Sequence, residues 1–255
     1  MAAIVYHIML VLRVVAILTL FIGACAPAEP VAVQPLPPPP PPVLIHLPGI
    51  AGEMRIDRHL VNGLVAGQVA PEAKIIDWTG PNRGILALGA LDYNKAEAKV
   101  LAERLTAIYR RDPRTRIILT AHSGGTGIAV WALEALPVDV QIDRLVMLCS
   151  ALSPGYDLSA ALAHVRGGAI SLYSEYDSDV LGTGTRYLGT IDRVKTNAAG
   201  YVGFRTDERR DPAQYLKLQQ LKYDRAWIKL GNFGDHLGPM DEMFAERVLA
   251  PLINQ

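Results

Sequence analysis

A lone hydroxyl between a histidine and two glycines, in Thr120-Ala121-His122-Ser123-Gly124-Gly125-Thr126-Gly127, stands where a side chain could act as a nucleophile. The apolar run Arg116–Thr120 before it reads as a buried strand, and residues 125–136 after it read as an apolar, buried helix. Small residues two before and two after Ser123 permit the tight turn that would expose the hydroxyl. A serine at such a junction also serves as a helix N-cap, so the pentapeptide alone leaves both roles open. A serine nucleophile needs a base, and the base needs a third group to orient it. His236, in Gly231-Asn232-Phe233-Gly234-Asp235-His236-Leu237-Gly238-Pro239, supplies an imidazole in a glycine-flanked loop. Asp177 and Asp179, in Tyr173-Ser174-Glu175-Tyr176-Asp177-Ser178-Asp179, supply carboxylates just after an apolar run. Each aspartate could instead be a turn residue bonded to its own backbone, and for at least one of the two that must hold.

These residues lie far apart in the chain, so a sheet must gather them. Short apolar runs alternate with longer stretches of helical period, which predicts a mostly parallel sheet of about six strands flanked by helices. The expected strands are Val43–Leu47, Lys74–Trp78, Arg116–Thr120, Arg144–Cys149, Ala169–Tyr173 and Ala226–Leu230. Ala98, Leu101, Leu105 and Ile108 share one face of an amphipathic helix over 94–110, which stops before Asp112-Pro113. Further helices are expected near 157–165, 212–222 and 240–254.

The turn Ala121-His122-Ser123-Gly124-Gly125 resembles the nucleophile elbow of the α/β-hydrolase family, with alanine where the first glycine of Gly-x-Ser-x-Gly usually stands. The chain order also resembles that family's order of nucleophile, acid and histidine, in its serine esterase and lipase branch. The resemblance implies a catalytic Ser123, Asp177 in preference to Asp179 as the acid, and His236 as the base. Pro48-Gly49-Ile50-Ala51-Gly52 looks like the lipase His-Gly-x-x-Gly loop with proline in the histidine's place. On that alignment the backbone N–H groups of Ile50 and Gly124 form the oxyanion hole. Taking His46 as the loop histidine instead puts Pro48, which has no N–H, in the pattern. The likeness covers about 43–255 and lacks the first two strands of the full sheet, which implies a reduced α/β-hydrolase fold. Residues 150–166 are too few for a large lid. The implied activity is cleavage of a carboxylic ester, in a small molecule or a lipid, without a cofactor.

The preceding residues read as targeting and spacing. Residues 1–24 carry Arg13 ahead of an apolar run and end in Ile22-Gly23-Ala24, which with the following Cys25 resembles the lipobox of a bacterial lipoprotein signal peptide. Lipidation of Cys25 would then anchor an exported protein to a membrane of the cell envelope. An uncleaved anchor over residues 4–24 is the alternative, with Arg13 costly near its middle. Residues 25–42 hold half of the chain's 18 prolines. A polyproline spacer over 27–42 reaches roughly 50 Å at about 3.1 Å per residue. The hydrolase-like domain is then 43–255. Cys149, the other cysteine, lies in an apolar run and reads as a buried small residue, with no disulfide to Cys25 expected.

Twenty-five basic and 25 acidic side chains balance, which argues against nucleic acid as a partner. No His-Glu-x-x-His and no paired Cys-x-x-Cys occurs, so no metal site is expected. Gly182-Thr183-Gly184 lacks the spacing and the following Lys-Ser or Lys-Thr of a phosphate loop. His59 and His164 fall away from strand ends, and His122, next to Ser123, is expected to point elsewhere. Two other functions fit the same residues: a non-catalytic hydrolase-fold lipoprotein that binds a ligand, and an acyltransferase using the same three side chains. Nothing in the sequence speaks to oligomeric state.

Overall fold

In the computed structural model, residues 37–207 and 211–255 are described. The expected signal peptide and the acylated Cys25 lie outside them, as does the first part of the proline-rich spacer. Pro39–Gln255 forms one compact unit. Among the described residues, no helix is long and apolar enough to cross a membrane.

The sheet has the number of strands the sequence calls for: six, all parallel, with helices on both faces. In chain order the main elements are β1 (Val43–Leu47), α1 (Arg55–Ala66), β2 (Ala73–Ile75), α2 (Leu91–Arg111), β3 (Ile117–His122), α3 (Gly125–Glu134), β4 (Arg144–Leu148), α4 (Ser159–Ala163), β5 (Ala169–Tyr173), β6 (Leu218–Lys222) and the C-terminal helix α5 (242–253). The strand order is β2-β1-β3-β4-β5-β6, which puts β3 and β4 at the centre. Alternation along each strand divides the core. Ile45, Leu47, Leu119, Ala121, Leu145 and Met147 pack against α2, α3 and α4. Leu44, Ile118, Val146, Leu148, Ile170 and Leu172 pack against α1 and α5 on the other face.

Two boundaries differ from expectation in ways that bear on the site. The sixth strand is not Ala226–Leu230, which instead forms part of a tight 3-10 turn, Arg225–Leu230, capped by the Asp224 carboxylate on the Ala226 N–H at 2.8 Å. The strand is Leu218–Lys222, in a stretch whose leucines, glutamines and lysines favour helix. Pairing with β5 from Ala169–Leu218 to Tyr173–Lys222 overrides that preference. Residues 212–222 are therefore not a helix, apart from the short 3-10 segment Pro212–Lys217. The strand expected over Lys74–Trp78 ends sooner, because Trp78 leaves the ladder to bury its indole and donate to the Pro48 carbonyl at 2.8 Å. Between β4 and β5 the only helix is α4, so no helical lid covers this side.

Helix α1 was not anticipated, and a polar cluster fixes it. His46 on β1 shares a hydrogen bond with the Thr120 hydroxyl through Nδ1 at 2.9 Å and with Asp57 Oδ1 through Nε2 at 3.0 Å. Asp57 Oδ2 accepts from the Met54 N–H at 2.7 Å, closing the first turn of α1. All three side chains are fully buried, so each depends on the others for its partners. Asp57→Ala should therefore destabilise the protein by about 3 kcal/mol, read as a lowered urea midpoint with an unchanged slope. A midpoint within experimental error of the parent would show that the cluster contributes nothing.

Candidate functional site

The carboxyl ends of β1, β3, β4 and β5 meet at Ser123. Strand β3 runs two residues further than its apolar pattern suggests and delivers Ser123 directly onto α3. Ser123 takes a left-handed backbone, φ 51°, which costs a non-glycine residue about 1 kcal/mol or more and turns the chain sharply. The turn is held by the Ser123 N–H on the Leu148 carbonyl at 2.9 Å and by the Thr126 hydroxyl on the Ser123 carbonyl at 2.6 Å. Gly125 is needed for closeness: a Cβ there would lie 2.4 Å from the Pro48 carbonyl oxygen and 2.7 Å from that of Leu47. The helix therefore starts hard against the end of β1.

Across the sheet edge, His236 Nε2 lies 3.0 Å from Ser123 Oγ, and His236 Nδ1 lies 2.6 Å from Asp177 Oδ2. A carboxylate can only accept, so the short bond fixes the proton on Nδ1 and leaves the Nε2 lone pair facing the serine hydroxyl. Asp177 is buried, and its own carbonyl receives the Leu181 and Gly182 N–H groups of the segment that follows. The Asp179 side chain is exposed and, among the described residues, is reached by the neighbouring Ser178 hydroxyl. Of the two aspartates, then, Asp177 is the one brought to the histidine. The imidazole keeps 17% of its surface open to solvent.

Ile50 and Gly124 are also brought together. A Cβ on Gly124 would lie 2.5 Å from Ile50 Cγ2 and 3.6 Å from the Ile50 nitrogen. Among the described residues, no hydrogen bond within the chain uses either N–H. The Ile50 loop is steadied from behind by Trp78 on Pro48 and by the Gly84 N–H on the Ile50 carbonyl at 2.7 Å. His46 is not part of it: it sits inside the sheet with α1.

His122 departs from expectation. It does not point away from the site, because the strand's alternation carries it under the base loop, where its Nε2 donates to the His236 carbonyl at 2.9 Å. The two rings lie 4.8 Å apart between centroids. Burial, and then the neighbouring His236, push the His122 pKa down to about 3, so the ring is neutral. Cys149 is buried as expected and carries a left-handed φ of 49°. Burial and the adjacent Asp177 carboxylate push its thiol pKa well above the usual thiol range. Atoms of His122, Cys149 and His236 that could bind a metal lie within 4.8 Å of one another. His236 Nδ1 is already committed to Asp177, and His122 Nε2 to a carbonyl. The cluster as built is a frame for the base. The position of His122 beside the serine was the only sequence signal for its part in this.

His164 donates to the Val140 carbonyl at 2.8 Å, away from the site. No family model and no curated protein matches the chain. Among solved structures it is similar to the esterase domain of a Rhodothermus marinus protein, at 15% identity and TM-score 0.45 over 88% of each chain. Mature Bacillus licheniformis lipase BlEst2 gives 15% and 0.47 over 87% of this chain and 95% of that one. Est1E from Butyrivibrio proteoclasticus gives 12% and 0.43 over 86% and 90%. At these values the likeness bears no functional weight, and the chemistry rests on the distances above.

Proposed function

We propose that the protein is a serine hydrolase that cleaves carboxylic esters through an acyl-enzyme on Ser123. The observation that carries this reading is the unbroken hydrogen-bonded path from Asp177 through His236 to a serine held at positive φ. His236 Nε2 takes the hydroxyl proton as Ser123 Oγ bonds to the ester carbonyl carbon, and the carbonyl π pair moves to oxygen. The Ile50 and Gly124 N–H groups receive that oxyanion. Collapse expels the alcohol, which takes its proton from His236, and leaves the acyl group on Ser123. Water then repeats the sequence: His236 removes its proton, the hydroxyl attacks the acyl carbon, and the carboxylic acid leaves as Ser123 Oγ regains a proton. Asp177 holds the Nδ1 proton throughout and stabilises the transient imidazolium.

The ester's class is suggested by the surroundings. Ile85, an exposed apolar side chain directly after Gly84, which bonds to Ile50, shares a surface pocket with the exposed Leu188. They favour a substrate with an apolar acyl or alcohol part. Lipid anchoring through Cys25 at the cell envelope, which the run Ile22-Gly23-Ala24-Cys25 supports, would place lipid esters within reach.

A fluorophosphonate probe tests the reading. The expected result is a single covalent adduct on Ser123 by peptide mass spectrometry, prevented by prior incubation with p-nitrophenyl esters, with hydrolysis improving as the acyl chain lengthens from acetate. A protein that is folded, unlabelled and inactive on every chain length is a binding protein and not a hydrolase.

A further inference from the structure

The base loop is bonded mostly to itself. The Asn232 carboxamide oxygen accepts from the Gly234 N–H at 2.9 Å, and the Asp235 carboxylate accepts from the Gly238 N–H at 2.7 Å. The Asn232 N–H returns to the Trp227 carbonyl at 3.2 Å, and the Tyr223 hydroxyl reaches the Asn232 carbonyl at 3.4 Å. All of these partners lie between residues 223 and 238. Among the described residues, one hydrogen bond ties the backbone of this loop to the nucleophile strand: His122 Nε2 to the carbonyl of His236 itself. The donor is the residue next to Ser123 in the chain, and the acceptor belongs to the residue whose imidazole faces Ser123 Oγ.

We propose that His122 is a positioning residue that sets the distance between the base and the nucleophile by pinning the main chain of His236 to the end of β3. This inference rests on the hydrolase reading for its kinetic consequence but not for its geometry. A carbonyl only accepts, so His122 must carry its proton on Nε2. Its Nδ1 has no hydrogen-bond partner and faces the Ile50 loop, 3.3 Å from where a Gly49 Cβ would stand. That vacant nitrogen is an uncommon cost for a buried ring, and an apolar residue would avoid it. What the imidazole supplies in return is the single N–H in reach of the His236 carbonyl. With the main chain fixed there and Nδ1 fixed by Asp177, the ring of His236 is held at two points and its Nε2 is left to the serine alone.

The test separates the donor from the bulk. Gln at this position presents an amide N–H near where Nε2 lies, Asn presents one too short to reach, and Phe fills the space with no donor. His122→Phe and His122→Asn should lower kcat by about 100-fold, the scale of a misplacement near 1 Å, while KM changes little. His122→Gln should recover most of the loss. Amide hydrogen exchange over 231–238 should speed up in the Phe and Asn variants and stay slow in the Gln variant. This second readout needs no catalysis, so if the parent is unlabelled by the probe the hydrolase reading fails while the tether is still judged by exchange. Should the Phe variant fail to fold, the Gln and Asn pair decides. Equal kcat and equal loop exchange in Gln and Asn, or a Phe variant with parental kcat, would overturn the proposal.

Discussion

Ser123→Ala is expected to lower the turnover of an activated ester by about a million-fold and to abolish fluorophosphonate labelling, with the melting temperature little changed. The size of the effect follows from the unit that the three side chains form. Without Oγ, the imidazole has nothing to deprotonate, and what is left is the pair of N–H groups and whatever holds the substrate. Stability should survive because, among the described residues, the Ser123 side chain bonds to His236 alone, whereas the turn is secured by its backbone and by Thr126. Alanine pays the same backbone penalty at φ 51° as serine does, so the strain neither rises nor falls. Hydrolysis by the variant at more than a thousandth of the parental rate, on purified material, would remove Ser123 from the mechanism.

Asp177→Asn should cost about ten-thousand-fold in kcat, while Asp179→Asn leaves it at the parental value. The carboxamide can present its NH₂ to His236 Nδ1, which then gives up its proton to Nε2. A protonated Nε2 is a donor toward Ser123 Oγ and has no lone pair to take the hydroxyl proton. The geometry can stay intact while the chemistry stops, so circular dichroism of the variant should match the parent. Asp179 is solvated and two positions beyond the contact. Equal losses in the two variants would point to a general charge effect at this corner and against a specific bond to the base.

Sequence reading singled out Ser123, Asp177 and His236, which the structure brings within hydrogen-bond distance, because each follows a strand of the core or a loop beside it, and because short apolar runs mark buried parallel strands well. β1 and β5 fall where their patterns put them, and Ser123 sits at the end of the third run with its glycines behind it. The misplaced elements are at the edge and at the surface. Leu218–Lys222 is half covered, so its composition is mixed and its local preference is helical; only the partner strand decides its state. His236 was found despite that error, since a loop must return from either candidate strand to α5. Helix α1 escaped notice because its first turn is governed by Asp57 reaching a histidine in another strand, which no local pattern shows. The same holds for His122: alternation tells which face it is on, but what waits on that face comes from a loop 114 positions away.

The protein contains the same trio of groups twice. Thr120, His46 and Asp57 place a hydroxyl, an imidazole and a carboxylate at 2.9 and 3.0 Å, where Ser123, His236 and Asp177 are at 3.0 and 2.6 Å. A template search by distance alone would report two reactive centres in this chain. One of them is a decoy: its ring is reversed, with Nδ1 toward the alcohol, and no solvent reaches it. The two trios differ in access and in ring orientation, and any catalogue of such trios needs both to tell them apart.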